Sequence, residues 1–186
     1  MSLEATKELA PTGVLRAAIN MSNFLLVTGK TAAGEPDGVS PDMARELAKR
    51  LNVELELLQY KTPGEVSDDA GKGIWDIGNI GAEPKRAERI DFTAAYCEIQ
   101  STYMVPPGSE ITSLDQVDQK GIRIAVSARS AYDLWLERNI KNAELVRVDG
   151  IDASFDIFME KKLEALAGLR PRLISDVERV PGAKIL

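Results

Sequence analysis

Two short stretches of this sequence carry side chains suited to holding an anion. The first is Gly81-Ala82-Glu83-Pro84-Lys85-Arg86, just past an apolar run ending at Ile80 and near a helix start. A guanidinium such as that of Arg86 can grip a carboxylate or phosphate through two parallel N–H···O bonds. The plainer alternative is a surface ion pair of Arg86 with Glu83 or Glu88. The second stretch is Ser127-Ala128-Arg129-Ser130. Ser130 is placed to cap a helix whose apolar positions are Ala131, Leu134 and Trp135, and capping alone would account for it. A helix N-terminus beside an arginine is also a ready anion site, which adds Arg129, Ser130 and Ser127 as candidates. Tyr132 follows either as a ligand contact or as a packed ring with a bonded hydroxyl.

What is missing excludes several chemistries. There is no histidine and only one cysteine, Cys97. Ser/His/Asp and Cys/His catalysis are therefore ruled out within one chain, and so is an internal disulfide. The carboxylates show no dense ligand spacing, and Gly71-Lys72-Gly73 is too short for a phosphate loop and leads into a strand. No catalytic residue, metal or cofactor is expected. The 23 basic and 29 acidic residues are interleaved, giving a net charge of −6 without a basic stripe. That argues against nucleic acid as a partner. No stretch approaches the ~18 apolar residues that span a bilayer, and Met1–Ala5 has neither the basic nor the apolar region of a secretory signal. Either the protein stays inside the cell, or this is a mature form restarted with a methionine.

The elements that position these candidates alternate. Val14–Asn20 reads as a buried strand, and Ser40-Pro41-Asp42 as a helix start, with Ser40 as cap and Met43, Ala44, Leu47, Ala48 and Leu51 on one face. Strands at 53–60 and 75–80 flank a weaker helix at 62–71. The pattern is that of a parallel sheet with crossover helices, whose ligands bind beyond the carboxyl ends of the strands. Asp91–Val105 reads as β-rich and is closed by Pro106-Pro107-Gly108. The pattern then restarts with strands at 122–126, 144–148 and 163–169 and helices at 131–139, 152–161 and 173–180. Two α/β lobes are predicted: residues 1–100, a crossing at 101–107, and residues 108–186, each a mainly parallel sheet flanked by helices.

Several motifs resemble the extracellular solute-binding protein family 3, the polar amino-acid receptors of ABC importers. Gly38-Val39-Ser40-Pro41-Asp42-Met43-Ala44 is similar to its glycine-led helix start, and Trp75-Asp76-Ile77-Gly78 to one of its strands. The block from Lys85 to Tyr96, with Arg86 six residues before Phe92, resembles its most diagnostic motif. Ser113-Leu114-Asp115-Gln116-Val117 with Gly121-Ile122-Arg123-Ile124-Ala125-Val126 matches the entry to its second lobe. The resemblance implies a two-lobed periplasmic-binding-protein fold of type 2. It also implies a ligand in the interlobe cleft, an ABC permease as partner, and a periplasmic mature form whose signal peptide has been removed. It places Phe24 where the family often stacks an aromatic on its ligand.

The departures from the family shape the expected ligand. The threonines and glycine that hold an amino acid's α-amine and carboxylate align with Asn79, Gly81 and Glu83. The second lobe's Gly-Thr-Thr loop appears as Ala128-Arg129-Ser130, and the aspartate that pairs with the amine falls at Leu169. Arg86 alone is retained, with Glu83 as a replacement amine partner or a neutralising neighbour of Arg86. The expected function is binding of a small anionic or carboxylate-bearing solute without chemistry. Two alternatives stay open: a cyclohexadienyl-dehydratase-like enzyme with Glu83 as general acid, and the sensor module of a membrane receptor. The likeness ends at Leu186, ahead of the family's return to the first lobe. The expectation is a truncated chain, or a first lobe completed otherwise, such as by exchange between chains.

Overall fold

A short helix, α1 (Leu3–Leu9), leads into β1 (Val14–Asn20). A two-residue ribbon, β2 (Gly29–Lys30) and β3 (Pro36–Asp37), precedes α2 (Val39–Leu51). Then come β4 (Glu54–Tyr60), α3 (Pro63–Asp68), β5 (Ile77–Gly78) and α4 (Pro84–Ala87). This computed structural model describes residues 3–186 and divides into two units, one ending at Phe92 and the other running Thr93–Leu186.

The first unit has a three-stranded sheet of order β4-β1-β5, parallel throughout. Leu15, Ala17 and Ile19 alternate along β1 toward Ala44, Ala48 and Leu51 of α2, so the strand and helix periods meet in one core. The start of α2 differs from the expected Ser40 cap. Gly38 is the capping residue, at φ 128°, and the Ser40 hydroxyl instead accepts from Asn79 Nδ2 at 3.1 Å. A Cβ at position 38 would lie 2.8 Å from the Leu26 carbonyl oxygen and 2.9 Å from the Thr28 nitrogen, so glycine is required there. Asn52, at φ 55°, ends the helix in the left-handed conformation, as its position suggested. The expected strand at 75–80 shortens to Ile77–Gly78.

The second unit contains β6 (Ser101–Val105), a single 3₁₀ turn (Leu114–Gln116), β7 (Arg123–Ser127), α5 (Ala131–Asn139) and β8 (Glu144–Val148). It continues with α6 (Ile151–Glu160), β9 (Ala165–Leu169), α7 (Arg170–Arg179) and β10 (Lys184–Ile185). Its sheet has the order β10-β6-β9-β7-β8. β7 is parallel to both β8 and β9, while β6 is antiparallel to β9 and β10. Ile124 and Val126 face one core cluster and Ala125 the other. A sheet buried on both faces explains the unbroken apolar runs of β7 and β9.

The segment 101–107, read as a crossing, is in large part β6. Its Ser101–Met104 pair in register with Leu169–Leu166, which draws it into the second unit's sheet, and the division falls at Phe92 rather than Gln100. Residues 91–100 form no strand, although the β-rich reading covered them. α7 begins three residues earlier than the apolar spacing from Leu173 indicated, because Pro171 fits the first helical turn.

Candidate functional site

The first unit gathers three of the candidates in one turn. β5 pairs with Ala17 and Ala18 of β1, so the chain leaves both strands at the same edge of the sheet, toward Phe24 after β1 and toward Gly81–Arg86 after β5. Glu83 caps α4: its Oε2 accepts the Lys85 N–H at 3.0 Å, and its carbonyl accepts the N–H groups of Arg86 and Ala87 at 2.9 Å each. Arg86 is 3% exposed and donates from Nη1 to the Gly81 carbonyl at 2.9 Å. The alternative of a surface ion pair does not describe it, since both Arg86 and Glu83 are buried. Phe24 is half-buried in the turn after β1, its N–H bonded to the Ser22 carbonyl.

The second unit gathers the other four. Ser127 ends β7, and the backbone turns through Arg129, which is exposed and left-handed at φ 60°. Ser130 caps α5 by accepting the Asp133 N–H on its hydroxyl at 3.1 Å. Asp133 reaches back to accept the Arg129 N–H at 2.7 Å and takes Arg147 Nε at 2.8 Å on its other oxygen. This reciprocal arrangement satisfies the Asp133 N–H of the first turn and fixes the loop. Ser127 and Ser130 are buried, and both hydroxyls bond to the Tyr132 phenol. Burial pushes the Tyr132 phenol above its ordinary value, and these hydrogen bonds oppose the shift. The result is a small, rigid set of hydroxyls at the carboxyl end of a parallel strand.

Residues 18–177 match the family of bacterial extracellular solute-binding proteins, family 3. The chain belongs to this family. Its fold is the type 2 periplasmic-binding-protein fold, with each unit an α/β lobe. A curated relative, the L-cystine-binding protein TcyJ of Escherichia coli strain K12, is 25% identical over 134 residues, which are 72% of this chain and 50% of that protein. The chain thus spans about half the length of the curated relatives it matches. Among solved structures, the ancestral amino acid-binding protein AncCDT-1, described as a precursor of cyclohexadienyl dehydratase, aligns with a TM-score of 0.77 at 18% identity. That alignment covers 97% of this chain and 80% of the other. The cysteine-binding protein of Campylobacter jejuni aligns at 0.74 with 21% identity, covering 97% and 73%. These relatives are named for binding.

Sequence reading missed Asp133 and Arg147, which organise the α5 turn, and a charged cluster at the start of α7. There Arg172 donates Nε to both oxygens of Asp176 at 3.0 Å and Nη2 to Asp152 at 2.6 Å. The four-residue spacing of Arg172 and Asp176 is a helical pair visible in the sequence once α7 is started at Arg170. The contact with Asp152 is not.

Proposed function

We propose that this protein is the solute-binding component of an ABC importer and acts in the periplasm. It binds a small carboxylate-bearing molecule and releases it unchanged to a permease. The candidate ligand contacts are the Gly81–Arg86 turn with Phe24 in the first unit and the Ser127–Tyr132 turn in the second. The observation that carries this reading is the α5 start, where buried hydroxyls and a capped helix N-terminus stand at the carboxyl end of β7. That is where ligands of parallel α/β sheets bind, and the positive end of the helix favours an anion. Leu169, at the aligned position of the amine-binding aspartate, gives an α-ammonium group no charged partner there. Burying an unpaired ammonium is costly, so the reading selects carboxylates without a conventional α-amine. Glu83 is committed as the cap of α4, which argues against its serving as a general acid.

A thermal-shift screen across L-cystine, L-arginine, dicarboxylates and aromatic acids tests the proposal. A ligand at 100 times its Kd stabilises by about 2.7 kcal/mol. The expected result is a larger shift with acids lacking an α-amine than with either amino acid. A larger shift with L-cystine would replace the carboxylate reading with amino-acid binding, and a bound solute recovered chemically altered would overturn the receptor role.

A further inference from the structure

Three helices of the second unit begin at the carboxyl ends of adjacent strands. α5, α6 and α7 start at Ala131, Ile151 and Arg170, each within a few residues of the carboxyl end of β7, β8 or β9. β7 lies between the other two strands, with Ser127 opposite Val148 and Ala125 opposite Leu166. That register carries Leu169–Arg172 alongside the Ser127–Ser130 turn. Arg172, in the first turn of α7, bridges two carboxylates of different character. Asp176 is 2% exposed and is held a second time by Arg179 at 3.1 Å. Asp152, in the first turn of α6, takes Arg172 Nη2 at 2.6 Å while its own side chain is 85% exposed. The first pair anchors the guanidinium. The second is a carboxylate held in water, where an ion pair is weak and readily exchanged. Arg172 is also close enough to Tyr132 to act on its phenol electrostatically.

We propose that Arg172 is the anion-binding group of the second unit, and that Asp152 is an internal stand-in whose position on the guanidinium a ligand carboxylate takes. This rests on the reading of the protein as a receptor for an anionic solute and assigns the group that discriminates for it. Asp176 holds Nε, which leaves the Nη2 edge to the exposed Asp152. The position that Asp152 occupies shows that this edge accepts a carboxylate. A solute seated there replaces Asp152, which swings into solvent at little cost because it is already exposed.

Acetate, the minimal carboxylate, is the probe, titrated at constant ionic strength against the full chain. The Arg172 Nε–H and Ser130 amide resonances are followed by NMR. Asp152→Asn removes the competitor without touching a buried group and is expected to tighten acetate about 2- to 5-fold, the range of an exposed ion pair. Arg172→Lys is expected to weaken it, because the ammonium lacks the planar fork. Asp42→Asn, the same charge change at an exposed ion pair of the first unit, is expected to leave it unaltered. Equal affinity in the wild type and Asp152→Asn overturns the proposal. If acetate moves the Gly81–Arg86 resonances and leaves Arg172 unmoved, the proposal falls while the anion-receptor reading stands. If neither turn responds, both fall.

Discussion

Arg123 holds Glu164 by three bonds: its backbone N–H and Nε reach Oε2 at 2.8 and 2.9 Å, and Nη2 reaches Oε1 at 2.7 Å. Arg16 holds Asp76 by the same three groups, with the backbone N–H and Nε at 2.9 Å from Oδ2 and Nη2 at 2.6 Å from Oδ1. In each unit the arginine stands on the middle of three parallel strands, β7 or β1. The acid comes immediately before the neighbouring strand, β9 or β5. The two halves of the chain thus share a clamp that ties together two strands distant in sequence.

Breaking the first clamp is expected to destabilise its unit strongly. Asp76 is 6% and Arg16 18% exposed at the side chain. Arg16→Ala leaves a buried carboxylate uncompensated, and removal of one partner of a buried pair costs about 3–5 kcal/mol. The partial exposure of Arg16 places the expected loss at the lower end, about 3 kcal/mol by urea denaturation. A loss under about 1 kcal/mol would mark the pair as a surface ion pair in energetic terms.

The second clamp predicts a pH dependence. The Arg123 hydrogen bond is the largest of the influences that hold the Glu164 carboxyl below its ordinary value of 4.5. A depressed native value means that the stabilisation is complete above the unfolded value and is lost as pH falls through the lowered native one. Wild type and Glu164→Gln should therefore differ most above pH 4.5 and converge at more acid pH. Parallel stability curves through that window would show that Glu164 does not titrate with folding.

Arg129 separates folding from binding. Its φ of 60° is unfavourable for a residue with a Cβ. Arg129→Gly is expected to stabilise the protein by about 1 kcal/mol, the cost of a left-handed residue. The same variant should weaken binding of a carboxylate ligand if the side chain contacts it. Calorimetry on a stabilised variant with unchanged affinity would limit Arg129 to a turn residue.

Leu169 tests the missing amine partner. It is the residue before α7 and makes no side-chain cap bond. Leu169→Asp supplies both a capping oxygen and a negative charge, so helix capping is expected to add about 0.5–2 kcal/mol of stability. Affinity for L-amino acids should rise together with it. Capping without any gain in amino-acid affinity would locate the amine elsewhere.

Arg86→Ala is expected to weaken the solute by about 10- to 150-fold, from roughly 1.5–3 kcal/mol for a charge-assisted hydrogen bond. Its burial adds a second effect, because the Gly81 carbonyl loses a donor. Arg86→Lys should recover part of the affinity. A drop in thermal stability with affinity intact would confine Arg86 to holding its turn.

The alternation of strands and helices was legible in the sequence because periodicity is a local property. β1, β8 and α5 keep the boundaries that their apolar spacing and the Ser130 cap marked out. The grouping of Gly81, Glu83 and Arg86, and of Ser127, Arg129, Ser130 and Tyr132, followed from adjacency along the chain. Tertiary structure decided what pairs across distance. Arg16 meets Asp76 and Arg123 meets Glu164 over 60 and 41 residues, and Arg172 meets Asp152 over 20. Parallel strands bring such partners together, and no local pattern records which strands are neighbours. For the same reason Ser101–Val105 looked like a crossing until its pairing with β9 placed it in the second unit's sheet. A surface ion pair stayed open for Arg86 beside its ligand role, for want of any sequence signal of burial. Its guanidinium lies inside because the turn after β5 folds the Gly81 carbonyl back onto it.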